Sequence, residues 1–94
     1  MVKKIIKGAQ LLSRLDKNEI EFNEYLIQMR SIFDLTQKKL EEITGIPYRN
    51  IQNWEEGSRT PPKWNQLIIA NHLLNIIPTI LDEEKYTKGM RLQK

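Results

Sequence analysis

Apolar side chains recur along this chain at intervals of three and four, the spacing of one face of an α-helix, and no stretch alternates in the period-two manner of a half-buried strand. The clearest run is Ile20, Phe22, Leu26, Met29 and Phe33. Asn18 and Glu21 have the spacing of a capping box, so a helix is predicted from about residue 18 to residues 31–33. Asp34, a residue that tolerates turn conformations, ends it. Thr36 is a favourable N-cap for a second segment, in which Leu40 and Ile43 share a face and Gly45 is a natural residue just past the end. Pro47 suits the first turn of a third, short segment over about residues 47–55, closed by Gly57. There Ile51 and Trp54 face inward. At about 100° per residue, Arg49 and Asn53 then point away, with Asn50 and Gln52 on the flanks.

Thr60-Pro61-Pro62 is a stop and a restart. A fourth helix is predicted over residues 62–75, with Trp64, Leu67, Ile68, Leu74 and Ile77 as its buried stripe. Pro78 is expected to break it, and Thr79 with Asp82 to cap a short fifth helix over residues 80–86. Residues 88–94 are expected to form a flexible basic tail. Ile5, Ile6, Ala9, Leu12 and Leu15 suit an amphipathic helix around Gly8 that needs a partner surface, either the domain's own or another subunit's. The expectation is therefore an all-α, compact five-helix domain over residues 18–87, with an N-terminal extension at residues 1–17.

Composition narrows the chemistry. Ninety-four residues make one small domain, and 39% hydrophobic with 29% charged residues fits a folded chain rather than a disordered one. Without cysteine there is no disulfide, no Cys-ligated zinc and no thiol nucleophile. The single histidine, His72, leaves almost no means of building a nucleophile–base pair or a His-rich metal site, and no function is assigned to it. The adjacent acids Glu41-Glu42, Glu55-Glu56 and Asp82-Glu83-Glu84 suit solvated helix faces. Neither an enzyme nor a cofactor is expected. No apolar run approaches the roughly 20 residues that span a bilayer, and no signal peptide is recognisable, so a cytoplasmic protein is expected.

The net charge of +3 suits nucleic acid only weakly. Placement says more. Within residues 31–77 the five basic side chains, Lys38, Lys39, Arg49, Arg59 and Lys63, all fall in or beside the turns and the short polar segment. Lys3, Lys4 and Lys7 suit solubility better than an arm into a DNA groove.

A capped helix, a glycine turn and a short helix with a polar outer face form a helix-turn-helix pattern. The strings LTQKKLEEITGIP, NIQNWEEG and TPP followed by an aromatic residue resemble the Cro/C1 (Xre-type) helix-turn-helix regulators over about residues 21–74. The resemblance implies a lambda-repressor-like fold and sequence-specific binding to double-stranded DNA, in a repressor of phage or mobile-element type. It places Thr36, Gln37 and Lys38 against phosphate, and Tyr48, Arg49, Asn50, Gln52 and Asn53 against base edges. Arg59 and Lys63 would meet flanking phosphates, and Arg30 with Glu55 would form a structural salt bridge. Trp54 matches a core position rather than a base-stacking one. Departures from the family pattern are Glu41 where Ala is usual, Asp34 for Gly, Thr44 for an aliphatic residue, and Pro47 for a capping Ser.

One such module makes few contacts. A homodimer on a pseudo-palindromic operator is therefore expected, with half-sites about 34 Å apart or a multiple of that. Residues 1–17 or the fifth-helix region are the candidates for its surface. An alternative is a protein-binding module on the same fold, an antitoxin or inhibitor, with DNA binding as autoregulation.

Overall fold

Five helices make up the computed structural model of the protein, which describes the backbone of residues 1–92 and the side chains of residues 1–84. They are α1 (Val2–Asp16), α2 (Phe22–Ile32), α3 (Gln37–Thr44), α4 (Tyr48–Glu56) and α5 (Lys63–Leu92), and no strand occurs among the described residues. The expected count of five helices is met, but by different segments.

Residues 1–17, expected as an extension in search of a surface, find it within the chain. Leu11 and Leu15 of α1 enter the same core as Tyr25, Leu26 and Met29 of α2, Ile51 of α4, and Ala70, Leu73 and Ile77 of α5. α1 runs antiparallel to α2, since Lys4 pairs with Asp34 while Gly8 lies against Met29. It also runs antiparallel to α5: Gly8 meets Leu74, and the Leu15 carbonyl accepts from the Lys63 ammonium. A Cβ at Gly8 would stand 2.8 Å from Leu74 Cδ1 and 3.4 Å from Met29 Sδ, so the glycine allows a close approach at this three-helix contact.

Asn18 does not start a helix. It takes φ 61°, its N–H donates to the Leu15 carbonyl, and the Glu19 N–H donates to Arg14, so this corner closes α1. Asn favours left-handed helix ends as well as N-caps, and here the former role prevails. α2 begins only at Phe22, with Glu21 as an N-cap that makes no side-chain bond. Asp34, by contrast, takes the expected turn role, at φ 55°.

The largest departure is α5. Pro78 is not a break but an interior residue of a 30-residue helix. An interior proline costs about 3 kcal/mol. The buried stripe Ala70, Leu73 and Ile77 continues past it into half-buried Ile80 and Leu81, and Lys39 bridges to Glu84 at 2.8 Å beyond it. Those contacts hold the helix together across the proline. At about 1.5 Å per residue, α5 accounts for most of the 48 Å long axis. Residues 88–92, expected in a flexible tail, are helical in backbone, and residues 93–94 lie outside the described residues. The expected stripe also has the wrong phase. Ile77 is buried and Leu67 and Leu74 are half-buried, but Trp64 is 67% exposed and Ile68 58%. No helix among the described residues is long and apolar enough to cross a membrane.

Candidate functional site

The α3–α4 unit is fixed by local chemistry at each end. Thr36 Oγ1 accepts from the Lys39 N–H at 3.0 Å and caps α3. Gly45 takes φ 77°, and its N–H donates to the Glu41 carbonyl at 2.8 Å, closing α3 in the left-handed conformation that glycine tolerates. Thr44 supports the turn. Its hydroxyl donates to the Leu40 carbonyl at 2.7 Å and accepts from the Ile46 N–H at 3.2 Å.

α4 then starts from Pro47, which has no side chain to cap it. The Tyr48 N–H donates instead to Glu41 Oε2, at 2.6 Å. The two departures at 41 and 47 thus compensate each other: the carboxylate, seven residues back and across the turn, stands in for the missing cap. Gly57, at φ 80°, ends α4, and the Asn53 carbonyl collects the Ser58 N–H and hydroxyl.

Behind α4 sits a packed and ionic anchor. Ile51 is fully buried, and Trp54 meets Phe22 edge-on at 5.7 Å. Glu55, only 8% exposed, receives two 2.6 Å bonds from Arg30 Nε and Nη2 and a third, at 3.0 Å, from the Gln37 amide. Arg30 Nη1 donates to the Leu35 carbonyl. The bond to Glu55 pushes the Arg30 guanidinium above its ordinary pKa, outweighing the opposing effect of burial. Such bidentate pairs fix geometry as well as charge.

The outer face carries the predicted side chains. Arg49 and Asn50 are exposed, while Tyr48, Gln52 and Asn53 are half-buried along its edges. Lys38 Nζ lies 4.5 Å above the Tyr48 ring, a cation–π contact across the α3–α4 corner. An open cleft of about 410 Å³ joins Thr36, Gln37, Lys38 and Tyr48 to Arg30 and Leu35. Arg59 is exposed in the turn after α4, close to this surface in sequence. Two predicted phosphate contacts are engaged internally: the Gln37 amide on Glu55, and the Lys63 ammonium on the Leu15 carbonyl. Glu41 was visible in the sequence as a departure, but its partner was not. The usable signal was a helix start without a capping side chain, a few residues after an unexplained carboxylate.

This is an all-helical domain in which two short helices, joined by a glycine turn, present a polar face held from behind. No family model, curated protein or solved structure matches the chain.

Proposed function

We propose that the chain binds double-stranded DNA in a sequence-specific manner, as a Cro/C1-type (Xre-type) helix-turn-helix repressor of phage or mobile-element kind. One observation carries this reading. The inner face of α4 is locked by Ile51, Trp54 and Glu55, while Arg49 and Asn50 on its outer face are free. A short helix spends so much anchoring on so little surface when that surface must be presented in a fixed orientation.

In this reading α4 enters the major groove. Arg49 pairs with guanine; Asn50, Gln52 and Asn53 suit adenine; and Tyr48 works from the helix start. Thr36, Lys38 and the first N–H groups of α3 meet phosphate, with Gln37 limited to what its carbonyl oxygen can do, and Arg59 meets the flanking backbone. Lys63 contributes by position rather than by direct contact. Two copies act as a homodimer on a pseudo-palindrome, and the outer edge of α5 with Trp64 and Ile68 offers apolar surface for pairing.

The test is selection from a randomised duplex library, repeated with Arg49→Ala at two salt concentrations. The expected outcome is a palindromic motif that the variant relaxes at one symmetric position, with little change in salt dependence. Binding that shows no motif and fades steeply with salt would reduce the contact to electrostatics and sink the reading.

A second reading, a protein-binding module, draws on a different surface. An open groove of about 270 Å³ between α1 and α2 is lined by Lys7, Gln10, Leu11, Arg14, Gln28 and Ile32. Two residues of α-helix are about 200° of rotation, so Gln28 and Ile32 lie across α2 from Arg30, which faces α4. A partner with acidic side chains would suit that groove without touching α4. Truncating residues 1–17 is no test, because it strips Leu11 and Leu15 from the core. Reversing charge at Lys7 and Arg14 is one: loss of a partner with DNA binding intact would favour the module.

A further inference from the structure

We propose that Glu41 is a positioning residue for DNA reading, one that trades affinity for discrimination; this rests on the DNA-binding reading of α4. The first turn of any helix leaves backbone N–H groups without intrahelical partners, and its partial positive charge attracts anions. At the start of α4 the Pro47 carbonyl takes the N–H groups of Asn50 and Ile51, and Pro47 offers no capping side chain. The Glu41 carboxylate takes the Tyr48 N–H at 2.6 Å. Beside it, the Tyr48 ring lies under the Lys38 ammonium.

Two consequences follow. The backbone at Tyr48 is tied to α3 by a charge-assisted bond, so the side chains of Tyr48 and Arg49 leave the helix from a fixed point. The tip of α4 also already holds a negative charge, which disfavours a DNA phosphate there. α4 therefore reads bases from its flank, through Arg49, Asn50 and Asn53. Its phosphate contacts are confined to the start of α3 and the turn after Gly57. A carboxylate at the tip of a helix that enters the groove also repels the duplex, and removing that charge strengthens binding to any sequence.

The experiment uses the full chain and the motif selected by the wild-type protein. Affinities for that motif, for single-base variants of it and for random duplex are measured, with thermal unfolding alongside. Glu41→Ala is expected to lower discrimination at one or two base pairs of each half-site by about fivefold. Its affinity for random duplex should rise about two- to fivefold. Glu41→Gln keeps an accepting oxygen without the charge, so it should gain the random-sequence affinity and retain discrimination. Adding Pro47→Ser to Glu41→Ala supplies a hydroxyl cap and should restore discrimination while the raised background stays.

These opposite movements separate positioning from plain destabilisation, which weakens both kinds of binding together. A Glu41→Ala protein that loses specific and random-sequence affinity in equal proportion overturns the proposal. So does one that keeps full discrimination. If the wild-type chain selects no motif, the DNA-binding reading fails first and the proposal falls with it.

Discussion

Two tryptophans ten positions apart are used in opposite ways. Trp54 lies half-buried in α4, edge-on to Phe22. Trp64, in the first turn of α5, is 67% exposed. The polar residues around it are drawn inward: Lys63 donates to the Leu15 carbonyl, and the Gln66 amide to the Pro61 carbonyl at 2.8 Å. α4 is thus anchored by its apolar face and presents a polar one, whereas the start of α5 is tethered by polar side chains and presents an apolar one. Burial is set by which neighbours hold a helix, and residue type decides only among the orientations those neighbours allow.

That contrast can be broken on the α4 side first. Glu55→Ala leaves Arg30 and Gln37 facing an empty acceptor site. Because Arg30 keeps 22% of its side chain exposed, the loss should fall at the low end for broken buried pairs, about 3 kcal/mol by urea unfolding. A change under about 1 kcal/mol would mean the pair anchors little. Trp54→Ala should cost about 2 kcal/mol in the same assay, below the range for fully buried tryptophan because the ring is only partly covered.

The α5 side has its own test at Gly8. A valine there must displace Leu74 Cδ1 and crowd Met29, and about 1.5 kcal/mol of destabilisation is expected in thermal melts. Tyr25 joins the two sides, since its hydroxyl donates to the Ala70 carbonyl of α5 from the buried face of α2. Burial pushes that hydroxyl well above its ordinary pKa of 10.0. The folded chain then keeps a proton that the unfolded chain releases, so the contribution is whole below pH 10 and is lost as pH rises. Relative to Tyr25→Phe, stability should fall by about 1.4 kcal/mol by pH 11; parallel pH profiles would contradict the burial. The smallest effect completes the comparison. Trp64→Ala should change monomer stability by no more than about 0.5 kcal/mol. A larger loss that grows with protein concentration would show the ring to be covered in an oligomer.

What could be read from the sequence was what local chemistry decides. Thr36, Gly45 and Gly57 mark the ends of α3 and α4 because caps and left-handed turns depend on a few adjacent residues. The inward pair Ile51 and Trp54 followed from helical spacing, and so did the exposure of Arg49; Asn53, expected to point outward with it, is half-buried, and Asn50, expected on a flank, is exposed. The Arg30–Glu55 pair came through the family resemblance. Failures came where one residue suits two local roles, or where distant contacts outvoted a local rule. Asn18 suits either end of a helix, and only the Arg14 and Leu15 carbonyls select the end it takes. Pro78 breaks helices in isolation, but the core face on both sides of it keeps α5 continuous. The phase of α5 hinged on Trp64, whose bulk made burial the natural expectation, while α1 sets the orientation through Lys63 and Leu74.

The exchange of roles between Glu41 and Pro47 also constrains how this chain can change over time. Replacing Glu41 by a residue with no side-chain acceptor leaves the Tyr48 N–H unpaired as long as proline precedes it. Introducing a capping serine at 47 makes the carboxylate at 41 redundant. The two positions are therefore epistatic: the order in which they mutate decides whether an intermediate keeps the start of α4 in place. Homologous chains should carry either an acid at 41 with proline at 47, or a small residue at 41 with a capping side chain at 47, and seldom a mixture.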